Sequence, residues 1–191
     1  MSILIAGLAL FFALHLVPML PQLRARLASG PGVALYRPVF SLIAAVGLIL
    51  IVWGYANARL DGSPLLYDPP LWLRHVTLLL MLPVFPLLIS AFVPSRLRRI
   101  VKHPVLIAIK TWALAHLLAN GDLASVLLFG GFLAFAALDS VSVKRRAAAG
   151  LVSPPAGGTA NGDVIAIVGG LLVYAAFVWK LHAWIIGVPI I

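Results

Sequence analysis

The sequence predicts an all-α, polytopic membrane protein with six transmembrane helices in one bundle, and three observations predict it. Of 191 residues, 63% are hydrophobic and 10% charged, with a mean hydropathy of +1.11. A soluble domain carries about 25% charged residues, so this apolar surplus exceeds what one core can hide. The apolar residues also fall into six runs, each near the ~20 residues that cross a bilayer as a helix. Finally, cations gather in alternate connections between those runs.

The first run, Ile3 to Leu20, is closed by Pro18 and Pro21. It has no basic leader and no small-residue cleavage site, so it is expected to be a retained helix rather than a signal peptide. The second, Phe40 to Ala58, follows Pro38, and the third, Leu71 to Val93, is interrupted by Pro83 and Pro86. Proline removes a backbone donor and kinks or stops a helix. The fourth, Pro104 to Asn120, has its proline in the first turn, where the missing N–H costs little. The fifth runs from Asp122 to Leu138, and the sixth from Asp163 to Ile186, with Asp163 placed as its N-cap. Between them, AAAGLVSPPAGGTANG (about 147–162) has the composition of a flexible linker. All six runs are expected to form a single domain over residues 1–191.

Charge orients these helices. The first loop holds Arg24, Arg26 and Arg37, the third Arg96, Arg98, Arg99 and Lys102, and the fifth Lys144, Arg145 and Arg146. The other loops hold only Arg59, accompanied by Asp61, Asp68 and Asp122. The positive-inside rule then places loops 1, 3 and 5 in the cytoplasm and both termini outside. A net charge of +9 confined to such loops points to lipid headgroups and not to nucleic acid. With no cysteine and no glutamate, thiolate catalysis and paired-glutamate chemistry are excluded. No internal repeat is visible, which disfavours a transporter built from inverted halves.

Histidine at bilayer depth is expensive to keep and marks a functional candidate. At ~1.5 Å per residue, His15 lies about 18 Å from one face and His116 about 18 Å from the other. In an apolar layer ~30 Å thick, their depths differ by about 6 Å. Imidazole is the commonest protein metal ligand, and one histidine from each of two helices is a standard way to hold haem iron. Hydrogen bonding between helices is the competing role for each histidine. Helical spacing sets Leu8, Phe11, Phe12 and Met19 beside His15, and Ile109, Trp112, Ala113 and Asn120 beside His116. Asn120 is a candidate to orient His116 or simply to end its helix. His75, His103 and His182 lie near span ends and are expected at the membrane interface. Lys110 is expected to pair with Asp139. The glycines at 47, 54, 130, 131, 169 and 170 are expected to let helices approach closely.

Four stretches carry a family resemblance: HLVPMLPQLR from His15, YRPVFSLIAAVGLILIVWGY from Tyr36, VKHPVLIAIKTWALAHLLANGDLASVLLFGGF from Val101, and DSVSVKRR from Asp139. In them the chain resembles the NnrU family of bacterial membrane proteins, which is associated with denitrification and is similar to the plastid zeta-carotene isomerase. The resemblance implies a haem b cofactor with His15 and His116 as axial ligands. It departs from the isomerase at Ala113, where a cysteine is implied, and at Phe135, where a histidine is implied. The Lys102-His103-Pro104 step is similar to the signature of membrane methyltransferases, but the acidic residues those enzymes need are missing.

The expected function is therefore that of a bis-histidine haem b protein linked to redox chemistry, either nitrogen-oxide metabolism or isomerisation of an apolar polyene. An apolar small molecule or a gas is the expected ligand, and Arg37 and Lys102 are candidate cations for the haem propionates. The alternative is a haem-free assembly or regulatory protein whose histidines bridge helices. A methyltransferase or transporter ranks lower.

Overall fold

The computed structural model describes residues 1–29, 32–153 and 157–190, and among them it is all-helical, without a strand. In chain order the elements are α1 (Ser2–Leu16, continued by a 3₁₀ turn over Val17–Met19), α2 (Pro21–Ser29) and α3 (Gly32–Leu60). Next come α4 (Trp72–Met81), α5 (Val84–Ser90), α6 (Arg96–Val101) and α7 (Pro104–Ala119). The last are α8 (Leu123–Ala148), α9 (Ala160–Ala176, continued by a π-helical turn over Phe177–Leu181) and α10 (His182–Ile186).

Five segments are long and apolar enough to cross a membrane: Ser2–Met19, Ala34–Leu60, Trp72–Ser90, Leu123–Ala148 and Ala160–Ile186. Side chains such as Leu42, Ile49, Leu79 and Leu172 are mostly exposed along them, as lipid-facing residues should be. With this composition the chain is a multi-pass membrane protein. The sixth expected crossing, α7, has 16 residues, about 24 Å of helix. Its ends are fixed by Pro104 and by the Asn120-Gly121-Asp122 turn.

The contacts divide the chain into two units, Met1–Pro69 with Asn120–Phe135, and Pro70–Ala119 with Ala136–Ile191. In the first, α1 lies directly on α3. A Cβ at Gly54 would overlap the Leu4 amide nitrogen, and one at Gly7 would come within 2.7 Å of that of Ile51. Backbones this close require glycine, the means by which membrane helices gain contact where lipid supplies no hydrophobic drive. Gly47 meets Phe11, and Gly131 meets the Phe12 ring. The exposed segment after α3 folds back onto the start of α8, where Leu66 and Tyr67 both donate to the Gly121 carbonyl.

In the second unit, Val84, Leu87 and Ala108 are buried with Met81, Leu97 and Trp112 against them. Gly170 of α9 sits on Pro86 of α5, where a Cβ would overlap the proline nitrogen. Thr77 donates to the Ala115 carbonyl at 2.8 Å, and Tyr174 to that of Leu78 at 3.0 Å. Each of these bonds ties two apolar helices by a polar group.

Several element ends differ from expectation. The second apolar helix starts at Gly32 and carries Pro38 within it, at the loss of one backbone bond. The fifth continues past Leu138 to Ala148, because Lys144, Arg145 and Arg146 suit the negative end of a helix. Asp163 does not cap the last long helix. Thr159 does, accepting from the Gly162 amide at 3.0 Å. Asp163 instead accepts from the amides of Arg96 and Leu97, at 2.6 and 3.1 Å, and so caps α6. Within the expected linker, Gly158 and Gly162 lie against the Pro94-Ser95 backbone, and Thr159 donates to the Pro94 carbonyl. The Pro154, Pro155 and Ala156 part of that linker lies outside the described residues.

Candidate functional site

His15 stands one residue from the end of α1, in the first unit. Its ring stacks on Phe11, with centroids 4.0 Å apart and planes 24° from parallel. Phe40 and Phe135 meet it edge-on at 5.4 and 6.2 Å. Its Nδ1 lies 2.8 Å from the Phe11 carbonyl oxygen. A carbonyl only accepts, so Nδ1 carries a proton and Nε2 is the nitrogen left for a metal.

His116 on α7, in the second unit, repeats this chemistry. Its Nδ1 donates to the Trp112 carbonyl at 2.8 Å, and the two rings lie 5.4 Å apart. Ala113 and Ala115, within that turn, are fully buried. Both histidines are thus held as the tautomer in which Nε2 can ligate, each through a bond to the carbonyl one turn earlier. Metal-bound histidines characteristically have such a bond on the other nitrogen.

The supporting residues are placed as follows. Asn120 comes directly after the last residue of α7, and its carbonyl accepts from the Tyr67 hydroxyl at 2.9 Å. Arg37 is exposed on α3. Lys102, also exposed, ends α6 with a positive φ of 62°. His75 is exposed on α4, and His182 bonds the Val188 carbonyl. The expected Lys110–Asp139 pair is not formed; Asp139 takes Arg146 at 3.0 Å, seven residues along its own helix. Among the described residues no group of three or more His, Cys, Asp or Glu side chains is placed to hold a metal. His103, between α6 and α7, has its pKa lowered from 6.5. Burial is the main cause, and Lys102, Arg146 and Lys144 add to it against the opposing pull of Asp139.

A second polar feature escaped sequence reasoning. Asp122 stands just before α8 and accepts from the Ser125 amide at 3.1 Å and from the Ser125 hydroxyl at 2.6 Å. Ser125 is fully buried. With its proton committed to the carboxylate, its oxygen accepts from the Tyr55 hydroxyl at 2.9 Å, and Arg59 donates to that hydroxyl at 3.2 Å. A donor-only group at one end and an acceptor-only group at the other fix the direction of both hydroxyls. Burial alone would raise the Asp122 pKa, but the Ser125 bonds, Arg59 and Ser63 together hold it below 3.8. The signal was available in two spacings, Tyr55 with Arg59 and Asp122 with Ser125, each one helical turn.

A family model described as NnrU protein matches residues 3–190, nearly the whole chain. No match was found among curated proteins or among solved structures. With His15 and His116, the basic His-Pro step and the Asn-Gly-Asp turn all inside the matched region, the chain belongs to the NnrU family.

Proposed function

We propose that this NnrU protein is a six-span haem b protein of the bacterial inner membrane, with loops 1, 3 and 5 cytoplasmic and His15 and His116 as the iron ligands. The observation that carries the proposal is the shared tautomer. Each ring gives its Nδ1 proton to its own helix at 2.8 Å, which orients Nε2 as the ligating atom. Two imidazoles, each turned to present Nε2, are a donor set suited to haem iron. The sixth crossing is α7, supported by basic residues before it and Asp122 after it.

Bound there, haem would supply a one-electron couple for nitrogen-oxide metabolism or for isomerisation of an apolar polyene. The chain's own contribution is an oriented ligand. Phe11, Phe40 and Phe135 pack against the half-buried His15 ring and fix its plane. A propionate would take a cation at a helix end, Lys102 or Arg37, and Asn120 would support the turn after His116. A haem-free assembly protein is the second reading; the bridge between helices expected of its histidines is not made through Nδ1, because each ring gives that proton to its own helix.

Absorption of the purified protein after haem-replete expression tests the two. A Soret band lost in both His15→Ala and His116→Ala, and kept in His75→Ala, supports haem ligation. A colourless wild type removes it.

A further inference from the structure

Two adjoining cavities in the first unit have opposite chemistry. One, of about 400 Å³, is lined by Arg24, Arg37, Tyr36, Ser41, Phe40 and Pro18. The other, of about 390 Å³, is walled almost wholly by apolar atoms, including Leu27, Val39 and Ile43. Tyr36 and Phe40 line both. Both are grooves open at the surface, the polar one more so than the apolar one.

Helical spacing builds this division. On α2, Arg24 lines the polar cavity and Leu27, one turn on, the apolar one. On α3, Arg37 and Ser41 line the first, while Val39 and Ile43 line the second. Among the described residues neither arginine forms an ion pair, and the first 60 residues contain neither Asp nor Glu. The Tyr36 hydroxyl has no hydrogen-bond partner and is closed to water, so a ligand oxygen reaches it only when the Tyr36 ring turns toward the polar groove. An anion between the guanidiniums would give both arginines a counter-charge and, with that turn of the ring, would give the hydroxyl a partner. The cations also flank span ends, Arg24 just past Ser2–Met19 and Arg37 at the start of Ala34–Leu60, where lipid phosphates lie.

We propose that these cavities form a binding site for one anionic phospholipid, its phosphate on Arg24, Arg37, Tyr36 and Ser41 and an acyl chain along Leu27, Val39 and Ile43. The proposal does not rest on haem. It does compete for Arg37, and it leaves Lys102 as the cation for a propionate.

Native mass spectrometry of the full chain, purified from haem-starved cells, tests it with three probes: dioleoyl phosphatidylglycerol, dioleoyl phosphatidylcholine and inorganic phosphate. The wild type is expected to hold phosphatidylglycerol at least about tenfold more tightly than phosphatidylcholine. The Arg24→Gln/Arg37→Gln double variant should lose that preference while keeping its helicity by circular dichroism. Tyr36→Phe should weaken phosphatidylglycerol several-fold without lowering the melting temperature, because it removes no hydrogen bond of the fold. It therefore carries the test even if the double variant fails to fold. Equal binding of the two lipids, or a preference surviving in Tyr36→Phe and in the double variant, overturns the proposal. Displacement of the lipid by millimolar inorganic phosphate overturns it too, and assigns the cavity to a free anion.

Discussion

Tyr55 carries a hydroxyl that is both donor and acceptor, and nothing else on α3 can replace it between Arg59 and Ser125. Tyr55→Phe keeps the ring against Phe129 but leaves the buried Ser125 oxygen without its donor. A loss of about 1–2 kcal/mol is expected, measured by denaturant titration in detergent. A variant as stable as wild type would show that water takes the hydroxyl's place. The same chain of bonds makes stability depend on acid. Asp122 has a folded pKa below 3.8, so its contribution is complete above 3.8 and is lost as pH falls through the folded value. His103 acts at higher pH. Its folded pKa lies below 6.5, so the unfolded chain protonates first, and stability declines as pH falls from 6.5 toward the folded value. Melting temperature against pH should show two falling steps. Asp122→Asn should abolish the acid one, and His103→Gln the one that begins near 6.5.

At the scale of helices, the fit of α1 on α3 depends on glycine at two crossings. Gly54→Ala drives a methyl into the Leu4 amide nitrogen, and no side-chain movement relieves contact with backbone. The helices must separate, at about 1–3 kcal/mol. Gly130→Ala is the control, because a Cβ there meets nothing within 4 Å, and helix propensity alone should raise stability by up to about 1 kcal/mol. Equal melting of the two variants would sink the assignment. The sequence pointed to close packing at Gly47, Gly54, Gly131 and Gly170, where a neighbour does lie against the glycine, but it also pointed to Gly130, where nothing does, and passed over Gly7. It did not reveal where helices end. Asp163 looks like a cap for the apolar run it precedes, yet the donors it meets are the Arg96 and Leu97 amides, 67 and 66 residues earlier. Likewise Lys144 to Arg146 end an apolar run without ending α8, because charge limits membrane burial and not helix formation. His15 and His116 were legible as candidates by depth and residue type. Their tautomer was not, because it depends on a side-chain rotamer that brings Nδ1 to the carbonyl one turn back. The Tyr36 cavities were hidden for a similar reason: Arg24 and Leu27 read as loop residues until α2 places them beside α3.

For the whole molecule, charge makes a claim about orientation that geometry alone does not. Ten cations in loops 1, 3 and 5 stand against Arg59, which shares its loop with Asp61 and Asp68. If α7 crosses with the five longer segments, the number of crossings is even and both termini share a side. If α7 does not cross, they lie on opposite sides. The chain has no cysteine, so a single introduced thiol reports one position without background. Asp61→Cys and Ala149→Cys both lie at exposed positions. In intact spheroplasts, a membrane-impermeant maleimide should label Asp61→Cys at once and Ala149→Cys only after permeabilisation. Ser2→Cys and Val188→Cys then count the crossings. Labelling of both in intact cells fits six, whereas labelling of one fits five and would place α7 as a helix that enters the bilayer without traversing it. That second result would also withdraw the depth argument for His116, because a histidine on a non-crossing helix has no required level in the membrane. The haem proposal would then stand on the tautomer and the absorption spectrum alone.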